Sequence, residues 1–399
     1  MTPGAPSPNE DPHPGETSKS PWATVGRSLG EMPPIRPMDA VVALYSEGNQ
    51  ELSEAIIASL SRAIFAGVQS APAGAAQRIM SRISCQVLKW TTTRRKVGAE
   101  DYEGGAFHNR ILQRSGHPYA RALLDSSRKD TESLVDGGDP MNGPYMMIVP
   151  EILKAGTIWD RLLMHSVQGR DVQLRFIWET QATYEAVRSR LEKGGMVRVK
   201  AIAAGTGLSM IVAYDRLLRD GYDPARIVLK ITDREKTSID KTRRLLAKLA
   251  TTRGRAPKTD SEGGILAEVE DFSEGESGAG AVSQVKYDVV TAVGIFEYLQ
   301  GFTSGTTKRS LAHHPPEESA TAQHLAAWLD GMTTDDATLI VNTFRSHASI
   351  RILELFGRRF HYRTMANLTE LLAHANFRTP RLVGSGNIYD VKVYEKSPA

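Results

Sequence analysis

The feature that most constrains this chain is a change of texture at Met196. From there, short β-branched runs alternate with helical stretches: VRVKAIAA, SMIVAYDRLLRDG, RIVLKITD, SIDKTRRLLAKLATT, ILAEVEDF, YDVVTAVG, ATAQHLAAWLDGM, ATLIVNTF and NLTELLAHANF. Such alternation builds a mostly parallel sheet with helices on both faces. The closing runs RLVGSG and IYDVKVYEK have no helix between them, which predicts a hairpin that adds an antiparallel strand. No internal repeat is visible. Two long loops, 273–284 and 300–319, interrupt the pattern after strands, where lids and substrate walls are often built.

The N-terminal half reads differently. Residues 1–37 are rich in Pro, Gly, Ser and Glu and read as a disordered tail. Residues 38–145 read as a helical domain, in which Ile56, Leu60, Ile64 and Val68 recur at helical spacing. A second helix there, AAQRIMSRISCQVLKW, ends in the basic string TTTRRK, read as a solvated helix end. The stretch from 97 to 145 is read as loop, because SLVDGGDPMNGPY is made of turn residues. Residues 146–195 supply linking or cap helices that stop at Gly194 and Gly195. The α/β domain then spans 196–399, as a Rossmann-like seven-stranded sheet. A length of 399 residues suits two domains and tails.

Composition excludes several classes. The formal charge of +3 is too near balance for the phosphate footprint of a nucleic-acid binder. No run of ~18 apolar residues suggests a membrane span, and the N-terminus has no signal-peptide core. Cys85 is the only cysteine, so no intrachain disulfide forms, and a cytoplasmic setting is expected. Cys85 itself reads as a small apolar helix residue. No His, Cys, Asp and Glu spacing predicts a metal site.

Four segments carry chemistry. In VRVKAIAAGTGLS a strand enters a small-residue turn and then a helix; Ala203, Gly205 and Gly207 let a ligand approach the backbone. A dinucleotide fingerprint wants a third glycine at position 210, where Met210 stands, and no phosphate-loop lysine follows Gly207. A nucleoside without a pyrophosphate fits better. In RIVLKITDRE, Asp233 is placed to accept both ribose hydroxyls, or alternatively to cap the next helix. In AEVEDF, Asp271 is placed for an adenine amino group with Phe272 over the ring; Glu270 competes with it. In KYDVVTAVGIFEYL, an apolar strand stops at Gly294.

In that order and at those intervals, the four segments resemble the motifs of class I S-adenosylmethionine-dependent methyltransferases, over about residues 196–396. The resemblance implies a seven-stranded sheet with an antiparallel last strand and S-adenosyl-L-methionine as cofactor. It places the methionine end at Gly205 and Gly207, the ribose at Asp233 and the adenine at Asp271. One departure stands out: Ala201 and Ala203 occupy the stretch that often holds an early acid, so a backbone carbonyl or a residue of the preceding helix must hold the amino group. A narrower resemblance, carried by EAVRSRL, GIFEYL, VNTF and FHYRTMANLTELLAHANF, is to bacterial hydroxy-fatty-acid methyl ester synthases of the extracellular-factor type; it implies a carboxylate acceptor.

Methyl transfer from a sulfonium needs positioning more than acid–base groups, and a base only where the acceptor carries a proton. The acceptor-side candidates are Tyr298, Arg345 and His347, with Glu297, Asn342 and Arg363 nearby; Arg345 or Arg363 can pair with a carboxylate. Tyr184 and Arg188 are candidates to cover the cofactor, and the His313–His314 pair is a candidate base. The expected enzyme methylates a carboxyl or hydroxyl oxygen of a small molecule, with homodimerisation left open. The alternatives are a nucleic-acid methyltransferase and a non-catalytic partner that keeps the fold. The N-terminal half is expected to cap the cleft and select the acceptor, so that deleting residues 1–145 leaves cofactor affinity mostly intact.

Overall fold

In the computed structural model the described residues are 28–67, 74–91, 95–97, 101–103, 138–252, 264–270, 285–297, 321–349 and 362–397. Seven strands form the central sheet: β1 (Val197–Ala201), β2 (Ile227–Asp233), β3 (Gly264–Val269), β4 (Tyr287–Ala292), β5 (Thr333–Phe344), β6 (Phe377–Ser385) and β7 (Tyr389–Lys396). Their spatial order is β3-β2-β1-β4-β5-β7-β6. The first five run parallel, and β7 inserts antiparallel between β5 and β6. The inner strands β1, β2 and β4 are mostly buried, as cover by helices on two sides requires. A separate short ribbon pairs Arg95–Val97 with Asp101–Glu103.

The α-helices among the described residues are α1 (Pro37–Tyr45), α2 (Gln50–Phe65), α3 (Ala75–Thr91), α4 (Gly138–Met146), α5 (Pro150–Ala155), α6 (Ile158–His165), α7 (Val167–Lys193), α8 (Leu208–Arg219), α9 (Lys236–Thr252), α10 (Thr321–Met332) and α11 (Met365–Ala373). On one face of the sheet α7, α8 and α9 pack with α1 and α2 in a single apolar cluster, which includes Ile56, Leu60, Phe176, Val199, Ile211, Ile231 and Leu245. On the other face α10 and α11 close a second cluster around Val290, Leu339, Val341 and Tyr394. Alternate residues of β5 serve the two: Ile340 the first, Leu339 and Val341 the second, as the two-residue period of a strand dictates.

The helix α2 carries the expected spacing, with Ile56, Leu60 and Ile64 all buried; Val68 lies outside the described residues. The helix α7 starts at Ser166, whose hydroxyl accepts from Gly169 N, and ends at Gly194 with φ +95°. One stretch read as loop is helical: Gly138–Met146 forms α4, with Pro144 inside it. Turn-forming residues gave way there to tertiary contacts. Gln173 donates to Pro144 O at 2.9 Å, Tyr145 stacks on Phe176 with centroids 4.1 Å apart, and Met146 is fully buried.

Chain direction fixes where a ligand can sit. The chain moves from β1 outward to β2 and β3, then returns to β4 on the other side of β1. That reversal leaves a crevice at the carboxyl ends of β1 and β4, where open α/β sheets bind ligands.

Candidate functional site

The turn from Ala203 to Gly207 occupies that crevice. Ala203, Gly205 and Gly207 have φ of +48°, +57° and +61°, a left-handed run that glycine adopts freely and alanine only at a cost. Close packing explains the second glycine. A Cβ at Gly207 would lie 2.7 Å from Cγ2 of Ile231 on β2. The first turn of α8 therefore rests directly on the sheet.

Asp233 at the end of β2 holds the turn. It is 1% exposed; one carboxylate oxygen accepts from Gly205 N at 2.7 Å and the other from Glu235 N at 2.9 Å. The bond to Glu235 is of the type expected from an Asp just before a helix, and the bond to Gly205 ties β2 to the turn. Asp233 thus prepares the start of α9 and stands beside the glycines.

The missing early acid has a counterpart. Glu179 of α7 reaches the first turn of α8, where Ser209 Oγ donates to its carboxylate at 2.9 Å. Burial lifts the Glu179 carboxyl to about 7, against the pull of Arg175 and the Ser209 bond. Arg175 lies one helical turn earlier on the same helix. It donates to Tyr145 OH at 3.1 Å and to Glu297 at 3.4 Å, and its guanidinium lies 4.8 Å from the Tyr389 ring centroid. Its Nε is buried with no hydrogen-bond partner.

Gly294 completes this corner after β4. Its φ is +85°, and a Cβ there would stand 3.1 Å from Arg175 Nη1. Its N–H donates to Asn342 Oδ1 at 2.6 Å, and Asn342 in turn donates to Glu297 at 3.4 Å. Glu297 is 2% exposed, and burial raises its carboxyl, with Arg175 opposing. Residues from α7, β4 and β5 thus make one buried polar knot at the carboxyl end of the sheet.

Most other candidates are engaged elsewhere. Arg345 pairs with Asp390 at 2.6 Å, so its guanidinium is already committed. His347 bonds Ser349 through Nδ1 at 2.9 Å; burial, then Arg82 and Arg78, push its pKa down, leaving a neutral imidazole at neutral pH. Arg363 is 3% exposed, donates to Phe296 O, and burial lowers it to about 10. Tyr184 donates to Asp220 at 2.6 Å, beyond the far end of α8, with Arg188 over its ring. The Tyr184 hydroxyl is thus engaged at the C-terminal end of α8 rather than at the turn. Asp271, Phe272, Tyr298, His313 and His314 lie outside the described residues. Glu270 is described: its N–H bonds Asp233 O at 3.0 Å and its carboxylate pairs with Lys200 at 2.7 Å.

Sequence reasoning did not single out Arg175 or Glu179. Both precede the EAVRSRL segment of α7, and tertiary packing sets them against Ser209, in Glu179's case, and against Tyr145 and Glu297, in Arg175's. Among the described residues no group of three or more His, Cys, Asp or Glu is placed to hold a metal ion, and no helix is long and apolar enough to cross a membrane.

Seven strands with an antiparallel last strand are the architecture that the motifs implied. The fold is a Rossmann-like, mostly parallel seven-stranded sheet with an antiparallel last strand. No family model matches the chain, and no curated protein does. Among solved structures, the citrinin polyketide synthase CMeT domain aligns at 11% identity and TM-score 0.41, covering 91% of this chain and 94% of that one. An O-methyltransferase family protein from Burkholderia thailandensis aligns at 12% and 0.40, over 86% and 95%. Magnesium protoporphyrin IX methyltransferase from Synechocystis PCC 6803, with SAH bound, aligns at 14% and 0.34, over 57% and 87%. These likenesses are too distant to assign a role to any residue, so residue roles rest on the chain's own geometry.

Proposed function

We propose that this chain is an S-adenosyl-L-methionine-dependent methyltransferase acting on a carboxyl or hydroxyl oxygen of a small molecule. The observation that carries this is the left-handed turn Ala203–Gly207 at the crossover crevice, bonded to the buried Asp233. The surrounding groups fit the cofactor's chemistry. Its methionine end is a zwitterion, and α7 offers Glu179 and Arg175 four residues apart, on one face of the helix. Glu179 takes the ammonium, supplying the acid absent from the β1 motif. The unpartnered Nε of Arg175 takes the carboxylate. Asp233 holds the turn and receives the ribose, Gly294 clears the space beside Arg175, and Asp271 with Phe272 takes the adenine.

The cofactor supplies an electrophilic methyl group on a sulfonium. Held by Glu179, Arg175 and Asp233, that group would be open to in-line displacement by the acceptor oxygen, the C–O bond forming as the C–S bond breaks and its electron pair returning to sulfur. Positioning and water exclusion are the protein's part. For a carboxylate acceptor no base is needed. For a hydroxyl, His347 is the candidate base; burial, then Arg82 and Arg78, lower its pKa. Tyr298 and Arg345 remain acceptor-side groups in this proposal; Arg345 would act through its pairing with Asp390. The fatty-acid-like acceptor implied by the narrower resemblance is a subclass of the same reaction.

The test is equilibrium binding of S-adenosylhomocysteine to the full chain, followed by mass spectrometry of a lysate incubated with chain and cofactor. Saturable binding and a small molecule heavier by one methylene support the proposal. Absence of binding would falsify it.

A further inference from the structure

Three helices outside the α8 run converge on Thr206, the residue between Gly205 and Gly207. Tyr45, the last residue of α1, donates its hydroxyl to Thr206 Oγ1 at 2.8 Å. Asn142 of α4 donates through Nδ2 to the Tyr45 hydroxyl and to Thr206 Oγ1, both at 3.0 Å. Thr242 of α9 donates to Thr206 O at 3.0 Å. Tyr45, Asn142 and Thr206 are 4%, 2% and 2% exposed, so these bonds form away from water. Breaking one strands its partner in the interior, which is where a lost hydrogen bond is felt most.

The anchor itself is anchored. Lys248 of α9 donates to Ala43 O at 2.8 Å, to Leu44 O at 2.9 Å and to Ser53 Oγ at 3.1 Å. Those carbonyls lie at the carboxyl end of α1, immediately before Tyr45. The helix end is thereby held at the turn through two routes, one through Tyr45 and one through Lys248.

A turn with three of its five residues in the left-handed region has little preference of its own for one shape. Its peptide N–H groups point usefully only while it is held. We infer that Tyr45 and Asn142 are positioning residues for cofactor binding: α1 and α4 fix Thr206 and so set the shape of the turn. The N-terminal helices are then part of the cofactor site rather than only a cover over the acceptor. This inference rests on the proposed cofactor reading of the turn. It also requires reciprocity: a ligand in the turn must tighten the docking of α1 and α4.

The experiment uses the full chain and S-adenosylhomocysteine as probe. Tyr45→Phe keeps the ring and removes the hydroxyl; Thr206→Val removes the acceptor; Thr206→Ser restores it. Calorimetry should show binding weakened at least about fivefold in Tyr45→Phe and in Thr206→Val, each of which removes two of the three buried hydrogen bonds among Tyr45, Asn142 and Thr206. Thr206→Ser should bind like the parent. The double variant should lose less than the sum of the two single losses, because the Tyr45–Thr206 bond is removed by both substitutions. Hydrogen exchange at the end of α1 should slow when the probe is added to the parent and slow less in Tyr45→Phe. If the parent binds and both single variants, shown folded by circular dichroism, bind equally well, the inference is overturned and the cofactor reading stands. If Tyr45→Phe fails to fold, the Thr206 pair decides alone. If the parent itself does not bind, both fall.

Discussion

Glu179 makes the sharpest residue-scale prediction. Its carboxyl is raised to about 7 by burial. A carboxyl raised by folding contributes stability that is complete below its unfolded value and is lost as pH climbs through about 7. Ligand binding moves the opposite way, because an ammonium group needs the carboxylate. Affinity for S-adenosylhomocysteine should therefore rise between pH 6 and 8, and Glu179→Gln should bind more weakly and flatten that rise. A parallel pH profile in the variant would remove Glu179 from the site. Gly207 gives a second prediction. Substitution by alanine places a Cβ at φ +61° against Ile231 and should cost about 2–4 kcal/mol in urea unfolding. The turn was legible in the sequence because two glycines after a strand have few other uses. Arg175 and Glu179 were not, because a helix of mixed polarity does not announce which turn meets its neighbour. Tyr184 and Arg188, expected to cover the cofactor, are engaged with Asp220 and with each other.

At the scale of elements, α7 organises the molecule. Its 27 residues span ~40 Å, with Arg175 and Glu179 at the site end and Tyr184 beyond α8. Alternation of strand and helix made the sheet legible, and the unbroken final pair made its hairpin legible. Strand order was not, since it depends on which connections cross the sheet. The helix α4 was hidden by its composition: Gly138, Asp139, Pro140 and Pro144 read as turn residues until the packing of Tyr145 and Met146 is seen. The tie between α9 and α1 belongs to this scale too. Lys248→Met should remove the cap on the carbonyls of Ala43 and Leu44 and lower stability by about 1–2 kcal/mol, read from the shift in urea midpoint. An unchanged midpoint would show that water replaces the ammonium without loss.

The whole molecule shares its main apolar cluster across the boundary that the sequence suggested. Leu44, Ile56 and Leu60 of the N-terminal helices lie in the same cluster as Ile211 of α8 and Leu245 of α9. A chain lacking residues 1–145 should consequently expose apolar surface of α8 and α9, bind a hydrophobic dye and lose near-ultraviolet circular dichroism. A well-folded truncated chain with parental cofactor affinity would contradict both this account of the core and the role given to Tyr45. The central claim, that the turn beside Asp233 receives a sulfonium nucleoside, has one direct measurement. Isothermal calorimetry of the intact chain with S-adenosylhomocysteine should give one-site binding in the range of ~1 µM to 1 mM typical of enzyme substrates, weakened in Glu179→Gln. No heat of binding at saturating ligand, from a chain shown to be folded, would contradict the account.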